Sequence, residues 1–214
     1  MNDTDTDRAS PAATAIRAIL DTGSEEFSAR LAAALDAPGR AKRFNTDMQA
    51  QLDRAFVAGA DTEALLHARA ALVDVYITAL WQRQGWDDKQ RVCMLAVGGY
   101  GRAELHPHSD VDIVILLDKV PNNDNQECIA RFVTQLWDSG FELGHSVRTV
   151  KECVALAAED ITIMTNLLES RQLFGDVSLH EKVVQQTSPE RMWPAHEFFT
   201  AKWQEQRDRH RHVD

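Results

Sequence analysis

No apolar run in this chain approaches the roughly twenty residues of a membrane span, and the amino terminus lacks a basic-then-apolar leader pattern. Both absences point to a cytoplasmic protein with no membrane partner. Cysteine is sparse. Cys93, Cys128 and Cys153 are odd in number, widely spaced and each in apolar company, which predicts buried reduced thiols and excludes a disulfide framework. Basic charge is also short, with 23 Lys and Arg against 33 Asp and Glu and a net charge of −10. That balance excludes a broad nucleic-acid surface. It does not exclude a nucleotide substrate, because one basic pocket with Mg²⁺ neutralises a triphosphate.

What is present is concentrated in one stretch. Gly98-Gly99-Tyr100-Gly101-Arg102 is followed by Ser109-Asp110-Val111-Asp112 and then Ile113 to Leu117. Cys93–Val97 and Val111–Leu117 read as two short buried strands. The glycines between them let backbone N–H groups approach an anion, because no Cβ stands in the way. Asp110 and Asp112, two apart in an extended strand, point to one face. A lone glycine pair is usually a turn, and a lone Asp-x-Asp usually a solvated strand end. Here the acids stand at the mouth of a core strand, and Arg102 and Ser109 add a guanidinium and a hydroxyl suited to phosphate. The combination predicts a site for a divalent metal and a polyphosphate.

At 214 residues the chain can hold one to two compact domains. Met1 to Ala13 reads as a polar arm. Ala15 to Asp36 reads as helical, broken near Thr22-Gly23-Ser24, and Arg40–Ala58 and Thr62–Gln84 as two more helices after a Pro38-Gly39 break. Gln126–Asp138 has an amphipathic helical pattern, and Glu142–Arg148 has strand character. Thr149 with Glu152 forms a capping box for the next helix. Asp160 caps another that is expected to run to Leu173, before Gly175. From Val177 onward the pattern is helical, interrupted near Ser188-Pro189 and Trp193-Pro194. The division expected is a helical region 1–88, a catalytic core 89–176 and a helical extension 177–214.

The run Gly98 to Asp112 resembles the signature of the polymerase-β-type nucleotidyltransferase superfamily. Within it the chain is similar to the bacterial protein-PII uridylyltransferases. Three further segments carry that resemblance: Phe141 to Thr149, Asn166-Leu167-Leu168-Glu169-Ser170-Arg171, and Lys202 to His210. It extends from about residue 90 to the end. It implies an α+β fold with a short mixed sheet, flanking helices and added helices at both termini. It also implies UTP as donor, a tyrosine of the PII signal protein as acceptor, and two Mg²⁺ ions, with Mn²⁺ as a substitute. Asp110 and Asp112 would be catalytic metal ligands, with Gly98, Gly99, Arg102, Ser109 and Arg148 holding the nucleotide.

Polymerase-type catalysis normally uses a third carboxylate on a neighbouring strand. Glu142 is the best placed, because alternation puts it on one face with Gly144, Ser146 and Arg148; Asp138 and Asp118 are its rivals. His145 reads more readily as a structural histidine than as a ligand. His106-Pro107-His108 lacks further zinc ligands at a plausible spacing and shapes the loop. His210 and His212 read as solvated. The family also carries a His-Asp hydrolase domain that removes UMP, and ligand-sensing domains. No His-Asp dipeptide occurs in this chain, so it reads as the amino-terminal transferase portion, without removal activity or glutamine regulation. Two other readings stay open: an adenylyltransferase of the same fold acting on glutamine synthetase, and a non-catalytic nucleotide-sensing module.

Overall fold

A computed structural model describes residues 21–87 and 89–211. The arm expected at Met1 to Ala13, the start of the first helix and His212 lie outside these residues, as does the side chain of His210. The chain divides into two interleaved units. Among the described residues one contains 21–84, 103–109 and 131–142, and the other 85–87, 89–102, 110–130 and 143–211. Where the sequence suggests three consecutive regions, residues 177–211 belong to the same unit as the sheet, and two short segments of the middle belong with the amino-terminal helices.

The helical unit is built on α1 (Glu25–Leu35), α2 (Pro38–Val57) and α3 (Thr62–Gln82). Ser24 caps α1 by accepting from the Phe27 N–H, and Asp61 caps α3 by accepting from the Ala64 N–H. Pro38 opens α2, where its missing N–H costs nothing. The core of the unit is aromatic. Phe27 meets Phe44 edge-on at 5.8 Å between ring centroids, Phe44 stacks on Tyr76 at 6.2 Å, and Tyr76 meets Phe141 at 5.3 Å. Contrary to the sequence expectation, one helix among the described residues is long and apolar enough to cross a membrane by length and composition alone: Thr62–Gln82. Leu65, Leu72, Tyr76, Ile77, Leu80 and Trp81 on it are buried, which is the character of a core helix.

The sheet unit holds β1 (Val92–Ala96), α4 (Gly98–Gly101), β2 (Val111–Leu117), β3 (Leu143–Thr149) and β4 (Arg171–Gly175). The strand order is β3-β2-β1-β4. β1 runs antiparallel to β2 and β4, while β2 and β3 are parallel. A parallel pair needs a crossover, supplied by α5 (Asn123–Asp138), whose first half belongs to this unit and second half to the helical one. The sheet is followed by α6 (Val150–Glu159), α7 (Ile161–Leu168), α8 (Val177–Gln186), α9 (Pro189–Met192) and α10 (Ala195–Arg211). Cys93, Leu95, Val97, Val114 and Leu116 pack with Cys153, Ala157, Met164, Leu167, Leu179 and Val183 from α6, α7 and α8. This is the α+β architecture expected. The three cysteines are buried and form no disulfide with one another. Burial pushes the Cys93 thiol up to about 12 and the Cys153 thiol to about 11, which disfavours the thiolate of each.

The helix expected to run through Leu173 ends instead at Leu168, and Arg171–Gly175 is an edge strand paired with β1. Arg, Gln and Leu are good helix formers. The open edge of β1 overrides that preference, because its backbone groups need partners.

Candidate functional site

β1 leads into the glycine turn at a fixed point. The Val97 N–H donates to the Asp112 carbonyl at 3.0 Å, the rung after Ala96↔Ile113. The next residue, Gly98, has φ of 59°, a left-handed value that glycine adopts without penalty. A Cβ there would lie 3.5 Å from Asp112 Oδ2 and 3.9 Å from Asn166 Oδ1. The turn therefore sits directly against a carboxylate of β2 and an amide of α7. It closes as one helical turn, with the Gly101 N–H donating to Val97 and the Arg102 N–H to Gly98. Gly101 has a different role from Gly98. A Cβ on it would come 2.1 Å from the Glu169 carbonyl oxygen and 3.0 Å from that of Ala96. Both are main-chain atoms that cannot rotate aside. Gly101→Ala is expected to cost about 3 kcal/mol or more, lowering Tm by about 6 °C or more in a thermal melt.

Asp110 is exposed just before β2, and Asp112 is half-buried as its second residue. Burial, and after it the charge of Asp110, hold the Asp112 carboxyl above the usual carboxylate range. Among the described residues neither carboxylate receives a side-chain hydrogen bond or an ion pair. Two adjacent acids with no protein cation are a hard-oxygen donor set, and they fit a divalent ion such as Mg²⁺. No group of three or more His, Cys, Asp or Glu among the described residues could hold a metal.

The neighbour of Asp112 across the parallel ladder is Gly144. Its φ is not left-handed, so the backbone does not demand glycine. The demand comes from Asp112: a Cβ on Gly144 would lie 2.0 Å from Asp112 Oδ1 and 3.2 Å from its Cγ. The carboxylate leans over β3 into the space a side chain would fill.

Beyond Gly144 on the same face come Ser146 and Arg148. With Asp112 and Asn166 they line a cavity of about 170 Å³, whose apolar wall includes Ile163 and Leu167. Among the described residues Ser146, Arg148 and Asn166 make no side-chain hydrogen bond or ion pair. The Arg148 charge reaches Glu152 and Cys153, favouring the ionised form of each. Ser146, Arg148, Asn166 and Asp112 thus converge, with His145, on one cavity.

Other sequence-predicted residues fall elsewhere. Gly99 lies in the α4 turn next to Gly98. Arg102 forms a 2.6 Å ion pair with Glu169, tying the turn to the end of α7. Ser109 and Glu142 belong to the helical unit, each the last residue before the chain enters the sheet unit. The Ser109 N–H donates to the His106 carbonyl at 3.2 Å. Of the rivals to Glu142, Asp118 lies past the far end of β2, 3.6 Å from Arg91, and Asp138 belongs to the helical unit. The sequence does not single out Asn166 or the spatial role of Gly144, although alternation along β3 aligns Gly144 with Ser146 and Arg148.

Residues 46–151 match the protein family described as "Putative nucleotidyltransferase DUF294". A bifunctional uridylyltransferase/uridylyl-removing enzyme of Pseudomonas putida is 47% identical over 159 residues, 74% of this chain and 18% of that protein. Enzymes of the same name from Stutzerimonas stutzeri and Pseudomonas fluorescens are 43% and 40% identical over 86% and 90% of this chain, each over 21% of its own length. The chain spans about a fifth of the length of these relatives. With the acid pair, the glycine turn and the mixed sheet in place, the chain carries a nucleotidyltransferase domain and is a homologue of the bifunctional uridylyltransferase/uridylyl-removing enzymes.

Proposed function

We propose that this chain transfers UMP from UTP to a tyrosine of a PII signal protein, in the cytoplasm, and releases pyrophosphate. The observation that carries the reading is the acid pair Asp110 and Asp112, free of any protein cation among the described residues, with Asp112 set against Gly98 and lining the cavity with Arg148. Asp110 and Asp112 would hold Mg²⁺, which when bound supplies charge neutralisation for the triphosphate and acidity for the acceptor hydroxyl. Glu142 stands as the third acid and Ser109 as a phosphate-binding hydroxyl in this proposal.

The chain's own groups account for binding and orientation. Arg148, which forms no ion pair among the described residues, presents a guanidinium suited to phosphate oxygens. Gly98, with Gly99 after it, leaves backbone open to close approach. Ser146 and Asn166 offer a hydroxyl and an amide to the nucleotide. The reaction joins the tyrosine oxygen to the α-phosphorus and breaks the bond to the β-phosphate bridging oxygen. Pyrophosphate leaves with that electron pair, and the phenolic proton passes to solvent. Holding donor and acceptor in line is the main contribution of such a site.

The relatives' names support a uridylyl donor, and the resemblance of Phe141 to Thr149 and Asn166 to Arg171 supports a PII acceptor. The test incubates the purified chain with PII, Mg²⁺ and each labelled nucleoside triphosphate. Incorporation is expected from UTP and not from ATP. Transfer from ATP to glutamine synthetase would instead make the chain an adenylyltransferase, and binding without transfer would make it a nucleotide sensor.

A further inference from the structure

A second cavity, of about 400 Å³, lies wholly within the helical unit and shares no residue with the cavity beside Asp112. Its lining includes Lys42, Gln49, Asp53, Arg69 and His108, with Phe44 and Phe141 among its apolar members. That volume suits a small metabolite.

Arg69, on α3, is the informative member. It is half-buried, and burial lowers its pKa, an effect that the charge of Asp53 only partly offsets. One guanidinium nitrogen donates to Gln49 Oε1. Its Nε is buried with no hydrogen-bond partner. Asp53, the acid whose charge reaches Arg69, makes no ion pair with it among the described residues, and its Oδ1 accepts the Gln49 amide at 2.7 Å. A desolvated guanidinium without a carboxylate is costly. Its fork is complementary to a carboxylate or phosphate group. Lys42, whose stem lies over Gly140, adds a second cation to the same lining. Against the single carboxylate of Asp53, these two cations leave the cavity with an excess of positive charge.

We propose that this cavity binds a small metabolite through a phosphate or carboxylate group held by Arg69. The site is separate from the acid pair and from Arg148, and it stands whether or not the uridylyl reading does.

The test uses the full 214-residue chain, without nucleotide or divalent cation. Inorganic phosphate and malonate are titrated in separate arms while Tm and heat of binding are followed. A saturable rise in Tm is expected with one of them, and the arm that responds assigns the group as phosphate or carboxylate. Arg69→Met is expected to abolish the response while leaving the ligand-free Tm equal or higher, because it removes a partly desolvated cation that forms no ion pair among the described residues. Arg69→Lys keeps the charge without the fork and is expected to weaken binding by about tenfold; it carries the test if the methionine variant does not fold. Arg148→Met is expected to keep the response. No saturable response in either arm would overturn the proposal. So would a response undiminished in both Arg69 variants, or one lost in Arg148→Met alone.

Discussion

Asp112→Asn is expected to abolish nucleotidyl transfer while leaving the fold equally stable or more so. The carboxylate is half-buried beside Asp110, and its carboxyl sits above the usual range. A carboxylate with a raised folded-state pKa is disfavoured when ionised. Its ionisation therefore detracts from stability above the folded pKa, and protonation relieves the cost as the pH falls through that value. Replacing it by a neutral amide of the same shape removes the cost at neutral pH, so Tm should hold or rise. Catalysis moves the other way. On the proposed role as a metal ligand, losing this carboxylate removes several kcal/mol of charge stabilisation, a fall of at least about 100-fold in kcat. The same linkage makes divalent-cation affinity fall on acidification, beginning above the ordinary carboxylate range. Loss of activity together with a large fall in Tm would make Asp112 a structural residue.

Gly144→Ala should show the second large effect, and its signature is a split between stability and activity. The methyl group would meet Asp112 Oδ1 at 2.0 Å. That atom is the end of a side chain, which can swing away, so the fold should lose no more than about 1–2 kcal/mol. The Asp112 carboxylate, however, must leave its position over β3. A displacement of about an ångström in such a group costs about 100-fold in rate. Divalent-cation affinity, measured by calorimetry, should fall alongside. In an Asp112→Ala background the same glycine substitution should cost nothing further, because the clashing atoms are gone. An additive stability loss in the double variant would contradict the contact. Gly101→Ala supplies the contrast, since its clash is with main-chain oxygens and its effect falls on the fold.

Much of this site is legible in the sequence. Val111–Leu117 is read to the residue, because a β-branched run entered through Asp-x-Asp leaves few alternatives. The Thr149–Glu152 capping box is seen as expected, with both reciprocal bonds formed, because capping is local chemistry. Asp110 and Asp112 follow from the two-residue period of a strand. What escaped depends on contacts remote in sequence. Arg171–Gly175 has helix-forming residues and becomes a strand only because β1 has an open edge. Alternation assigns Gly144 to the site face, yet nothing local says that its missing side chain makes room for Asp112. Asn166 reaches Gly98 through the packing of α7, and Arg102 finds Glu169 by the same route. The interleaving of the two units is likewise a tertiary outcome, since segments 103–109 and 131–142 leave the sheet unit only in three dimensions.

The most direct test of nucleotidyl transfer follows the fate of each phosphorus of UTP. The chain is incubated with Mg²⁺, purified PII and UTP labelled at either the α- or the γ-phosphorus. The account predicts that α-label appears on PII and is absent when Asp110 or Asp112 is Asn, while γ-label leaves only as pyrophosphate. Gamma-label on the acceptor, or undiminished α-label transfer by both aspartate variants, would contradict it.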